Sequence, residues 1–149
     1  MAEPTSNYLP KGLPMPKSDP GRRDDEFWQA LRRHELLVQC CKRCGTRQME
    51  PECVCYNCQS FELGWQKVAG RGHIYSWIRP WYAAHPSLRE FGPYLVVLVE
   101  LDEDPSVRMV GNLLGDPQQE IKIGAAVEAA YEDHPEDDFT LIHWRTIPS

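Results

Sequence analysis

Cysteine is the residue type with the most chemistry to offer in this chain. Cys41-Lys-Arg-Cys44 and Cys55-Tyr-Asn-Cys58 form two Cys-x-x-Cys pairs, with ten residues between Cys44 and Cys55. A two-residue gap lets both sulfurs of a pair face one point. Two such pairs supply the four thiolates that a tetrahedral structural zinc needs. Gly45 follows the first pair, where the backbone has to turn tightly. Cys40 and Cys53 are left over. Only 41/44 with 55/58 gives two like knuckles, although either spare sulfur could replace a ligand. Disulfides and a four-sulfur iron site are the competing readings. Four thiolates on a divalent ion leave a negative site, which Lys42, Arg43 and Arg47 lie close enough in sequence to offset. Such a site has no open coordination position, so it points to folding rather than to water activation. Structural zinc is worth roughly 10–16 kcal/mol of apparent binding free energy in small peptides.

The remaining reactive side chains form no comparable pattern. The five histidines, at 34, 73, 85, 134 and 143, sit in no acid–base or triad motif. His34 is placed at a helix end, His73 at a strand start and His143 on a closing strand. His85 alone lies in a loop where a ligand could meet it. His134 and the acidic run Glu132 to Asp138 read as a solvated loop, because they lack the spaced oxygen ligands of a calcium loop. Gly70-Arg71-Gly72 is too short for a phosphate loop and has no helix after it, so it reads as a bend between strands. Trp77, Trp81 and Tyr82 invite a base-stacking interpretation. A nucleic-acid groove also needs cations, yet residues 73–94 hold only Arg79 and Arg89, and the formal charge of the chain is −6. These rings suit a barrel mouth or an interface core better. A single-stranded nucleic-acid module stays open as the alternative function, on fold analogy alone.

The elements that must position these residues are short. At 149 residues the chain is one domain or two small modules. No apolar run approaches 18 residues, and no apolar stretch follows a basic start, so neither a membrane span nor a secretory leader is expected. Cysteines without a leader suggest a reducing, cytoplasmic setting. Residues 1–21 carry Pro4, Pro10, Pro14, Pro16 and Pro20 and read as an extended arm, either a loose tail or a segment laid along a partner. Ser18 or Asp19 can cap a helix over residues 22–36. In that helix Phe27, Trp28 and Leu31 make an apolar stripe that a neighbouring module or a partner protein must receive. Residues 37–64 are the cysteine segment.

From residue 65 onward the pattern is of strands. Trp65–Val68, His73–Ile78, Val107–Leu114 and Phe139–Trp144 are short β candidates. Tyr94–Leu101 is apolar almost throughout and is expected to be buried on both faces. Residues 121–131 read as a strand interrupted at Gly124, although the alanines there also suit a helix. Residues 79–93 form an aromatic, proline-containing loop. Short strands without helical crossovers indicate a mainly β chain whose larger part is a small closed or partly closed barrel of five strands.

One resemblance spans about residues 24–131. It rests on Phe27-Trp28-x-x-Leu31-x-x-His34-x-Leu36, then Cys41-x-x-Cys44-Gly45, Pro51, Cys55-x-x-Cys58 and Trp65. It continues through Gly70-Arg-Gly72-His-Ile-Tyr-Ser76, Pro93-Tyr94 leading into Val96 to Asp102, and Ile123-Gly124 before Val127. This order resembles a family of small bacterial and archaeal proteins that join a rubredoxin-like zinc ribbon to an OB-fold and associate with acyl-CoA enzymes. The resemblance implies a helix, a zinc ribbon and an OB-fold over residues 65–149. It implies structural zinc on Cys41, Cys44, Cys55 and Cys58. It further implies a non-catalytic subunit of a thiolase-like hetero-oligomer acting on CoA thioesters, with some relatives serving hydratase-like partners. In that setting Phe27, Trp28, Leu31, Trp81 and Tyr82 become interface candidates. Arg71 becomes a candidate contact for a CoA phosphate, since a guanidinium forks well onto phosphate oxygens.

Overall fold

In the computed structural model, residues 8–16 and 21–148 are described. The proposed helix caps Ser18 and Asp19 lie outside them. Helix α1 covers Asp25–Arg32, shorter than the sequence suggests. It ends early because His34 adopts a left-handed backbone conformation, φ 56°, and the Glu35 amide bonds back to the Ala30 carbonyl at 3.0 Å. That is a closing turn usually made by glycine. Here the His34 ring stacks on Tyr131, and its Nε2 lies 2.9 Å from the Asp133 carboxylate, so side-chain contacts hold the unusual backbone. The chain then enters strand β1, Leu36–Cys41.

Strands β2 (Arg47–Gln48) and β3 (Leu63–Val68) flank β1 in an antiparallel sheet ordered β2-β1-β3. The strand expected at Trp65–Val68 therefore pairs with the cysteine segment, not with the barrel. The barrel closes in the order β4-β5-β6-β8-β7. Its strands are β4 (Arg71–Ile78), β5 (Val96–Leu101), β6 (Asp104–Leu113), β7 (Ala126–His134) and β8 (Phe139–Thr146). All pairings are antiparallel except β6 with β8. The helical option for the alanine-rich stretch loses, since Ala126 pairs with β4 and Ala129 and Ala130 with β8, while residues 121–125 lie outside the strand. Closure at β4 demands Gly72, where a Cβ would stand 2.1 Å from the Glu100 carbonyl oxygen.

Strand β5 differs from expectation. Val97, Val99 and Leu101 point into the core, while Val96, Leu98 and Glu100 are half-buried on the outer face. The apolar run thus marks an inner face plus an apolar outer face, not burial on both sides. One core joins α1 (Phe27, Leu31), the base of the small sheet (Leu36, Val38, Val68) and the barrel interior around Trp144. Among the described residues no helix is long and apolar enough to cross a membrane.

Candidate metal centre and aromatic surface

The Sγ atoms of Cys41, Cys44, Cys55 and Cys58 all lie within 4.8 Å of one another, as the spacing predicts. The closest pairs, Cys41–Cys58 and Cys44–Cys55, are 3.6 Å apart. Zinc–sulfur bonds of about 2.3 Å in a tetrahedron put sulfurs about 3.8 Å apart, so this donor set fits a four-thiolate zinc. Cys40 is half-buried and Cys53 exposed, and neither belongs to the cluster. Successive strand residues face opposite ways, which turns Cys40 away from Cys41.

The two knuckles share one backbone turn. Gly45 N donates to Cys41 O and Gln59 N to Cys55 O, both at 2.9 Å. Gly45 and Gln59 hold positive φ, 76° and 61°. The Thr46 hydroxyl, 3.1 Å from Cys44 Sγ, favours the thiolate and helps bring that thiol down to about 6. Cys58 is pushed up to about 12; the Ser60 amide favours its thiolate, but burial and the three neighbouring sulfurs prevail. A divalent cation among the sulfurs eases that conflict by favouring all four thiolates, although the site keeps a net negative charge.

Sequence reasoning missed how the second knuckle is held in place. The buried amides of Gln39 and Gln48 bond each other at 2.6 Å. Gln39 also accepts from the Glu52 amide and donates to the Glu52 carbonyl, each at 2.9 Å. Gln48 donates to Val54 O and accepts from the Tyr56 amide, each at 3.2 Å. Two side chains thus satisfy an irregular segment and deliver Cys55. Arg47 does not serve the sulfurs: its Nε donates to Gln66 at 2.8 Å and its Nη1 lies 3.5 Å from Asp104, tying the small sheet to the β5–β6 hairpin.

The interface candidates separate. Phe27 and Leu31 sit in the chain's own core, so an outside protein has no access to them. The helix stripe packs on β1 and β8 and is received within the molecule. Trp28 is half-buried, 4.9 Å from Phe139, with its Nε1 donating to Asp24. Trp81 and Tyr82 are 68% and 86% exposed. On the outer face of β4 and β6, Tyr75, Ile78 and Val110 are also exposed, with the Arg108 guanidinium 3.8 Å above the Tyr75 ring. Arg79 packs over Trp77 and donates to the Pro117 and Gln119 carbonyls, so it is a structural clamp. Arg71 is exposed at the start of β4.

The expected acidic loop is also different. Glu132 and His134 are buried in β7, not solvated. Glu132 accepts from His134 Nε2 at 2.7 Å, His143 Nε2 at 2.9 Å and the Tyr8 amide at 2.8 Å. Burial opposes its charge, but the bonds from His143, the Tyr8 amide and His134 win and hold the carboxyl near about 2. Only the alternation of Glu132, His134 and, across the sheet, His143 on one face of β7 and β8 could have announced this.

Comparison with known proteins fits this architecture. Residues 28–64 match the family model "ChsH2, rubredoxin-like zinc ribbon domain", and residues 65–132 match "ChsH2, C-terminal OB-fold domain". A solved chain of the "Ltp2-ChsH2(DUF35) aldolase" is 31% identical, with TM-score 0.74 over 87% of this chain and 98% of that one. The chain belongs to the ChsH2 family. The family model assigns residues 65–68 to the OB-fold, although their hydrogen-bonding partners lie in the ribbon sheet. A "Probable enoyl-CoA hydratase alpha subunit" of Thermomonospora curvata is 38% identical over 106 residues, 70% of this chain. The "3-oxo-4,17-pregnadiene-20-carboxyl-CoA hydratase alpha subunit" of Mycobacterium tuberculosis is 31% identical over 121 residues, 79% of this chain. The chain spans about a third of these two proteins, 32% and 36% of their lengths.

Proposed function

We propose that this chain is a non-catalytic small subunit of an acyl-CoA enzyme complex, whose catalytic partner has the thiolase fold. The match that spans nearly the whole ChsH2(DUF35) chain of an aldolase carries this reading. The chemistry of the molecule supports it. A closed four-sulfur metal site stabilises structure and offers substrate no coordination position. The aromatic loop and the outer barrel face present Trp81, Tyr82, Tyr75 and Ile78 to solvent, the residue types that anchor protein interfaces. In the complex we assign to Trp81 and Tyr82 the docking of the partner, and to Arg71 a contact with a phosphate of the CoA substrate.

The test is reconstitution with a thiolase-fold acyl-CoA enzyme of the same organism. Each chain is assayed alone and together for thioester turnover. Activity is expected only from the pair, and Trp81→Ala with Tyr82→Ala should weaken assembly by about tenfold or more, as truncated interface anchors do. Turnover by this chain alone, or a stable and fully active partner without it, would sink the proposal. Productive assembly with a hydratase-fold enzyme instead would keep the accessory role and replace the partner.

A further inference from the structure

The Glu132 cluster lies outside the metal centre and does no work in the function just proposed. Glu132 is only 5% exposed, and a buried carboxylate needs several donors. Two come from imidazoles on β7 and β8. The third comes from the main chain 124 residues away, the Tyr8 amide. The Tyr8 ring then lies 5.7 Å from the His143 ring. Without that segment the carboxylate would lose a donor at 2.8 Å and the imidazole face would lose its cover. Tyr8, the first described residue of the arm, is therefore docked on the chain's own barrel.

The arm also reaches the aromatic loop. Gly12 holds φ +100°, and a Cβ there would stand 2.9 Å from Ser87 Oγ, in the short 3-10 turn Pro86–Leu88. Tyr8 and Phe91 line the same cavity of about 660 Å³, together with Leu114, Tyr131 and His143. The segment thus meets the 79–93 loop at Ser87 and shares a cavity with Phe91. We propose that residues 8–16 are a strap, anchored on Glu132, that fixes the conformation in which the 79–93 loop presents Trp81 and Tyr82. That these rings meet a partner rests on the accessory-subunit reading; the strap itself does not. The anchor uses a main-chain donor, so it fixes the position of the strap, while the Tyr8 ring and the glycine at 12 fix its course.

Hydrogen exchange and chemical shifts of the zinc-loaded full chain test this without any partner. The Tyr8 amide should exchange about tenfold or more slower than in Glu132→Gln, because opening must precede exchange. In that variant the Ser87 and Phe91 amide signals should shift, and trypsin should cut after the exposed Lys11 about tenfold faster. Glu132→Gln could disturb β7, so Tyr8→Ala is the second variant; it keeps the carboxylate and should produce the same loop shifts. Unchanged β5–β6 amides certify the barrel in both. A wild-type Tyr8 amide exchanging at the rate of an unstructured chain overturns the strap. So do loop signals that stay put when the strap is released. Weaker partner binding in both variants would confirm the link to assembly. Unchanged binding with the loop shifted would instead count against Trp81 and Tyr82 as the docking surface.

Discussion

The ribbon and the barrel solve the same problem by opposite means. The barrel encloses Ile74, Val97, Val99, Leu101, Val107, Met109, Leu113, Val127 and Trp144, enough apolar surface to hold itself together. The ribbon tip beyond Cys41 encloses Gln48, Pro51, Cys55, Ser60 and little else. Its backbone is satisfied by Gln39, Gln48 and the knuckle turns, and its remaining order must come from metal–sulfur bonds. The base of the ribbon sides with the barrel, because Leu36, Val38 and Val68 belong to the shared core. The boundary between the two regimes therefore falls within strand β1, not at a linker.

Removing the metal should break this comparison most visibly. Strong chelation, or Cys55→Ser, should abolish amide protection over residues 42–62 while Leu36–Gln39 and the barrel strands stay protected. The scale is set by the roughly 10–16 kcal/mol that structural zinc supplies to small peptides. Metal analysis should find one zinc per chain before chelation. Collapse of the barrel together with the tip would show that the boundary is misplaced.

The converse experiment is smaller. Trp144 is fully buried, and Gly111 exists to make room for its indole: a Cβ at 111 would stand 2.8 Å from the ring. Trp144→Ala should cost about 3–5 kcal/mol of barrel stability in urea unfolding. Zinc stoichiometry should not change, because none of the four sulfurs touches that core. Loss of zinc from the folded variant would mean that the ribbon draws its order from the barrel after all.

The sequence revealed the parts of the molecule that follow local rules. The cysteine spacing announced the cluster, and short runs of β-forming and apolar residues between turns announced the strands from β4 onward. Three things stayed hidden, each for a physical reason. The partner of β3 depends on long-range pairing with β1, which no local signal encodes. Phe27 and Leu31 were open to either a neighbouring module or a partner protein, because a helix stripe does not say whether its receptor is the same chain. Glu132 and His134 looked solvated because an acidic run resembles a loop until strand alternation buries every second residue.

The finest distinction lies inside the ribbon, between its two knuckles. Both need a positive φ at the residue after the second cysteine, and they meet that need differently. Gly45 adopts φ 76° without a Cβ penalty, whereas Gln59 adopts φ 61° with one. Left-handed geometry costs a non-glycine residue roughly 1–2 kcal/mol. Glycine in the unfolded chain loses more entropy on folding, which offsets part of that, roughly 0.5–1 kcal/mol. Gly45→Ala should therefore weaken zinc affinity by about twofold to fivefold in competition with a chelator, since about 1.4 kcal/mol is tenfold. Gln59→Gly should leave affinity unchanged or raise it by up to about fivefold. A loss of affinity in Gln59→Gly would show that the glutamine side chain, and not the turn, matters at the second knuckle.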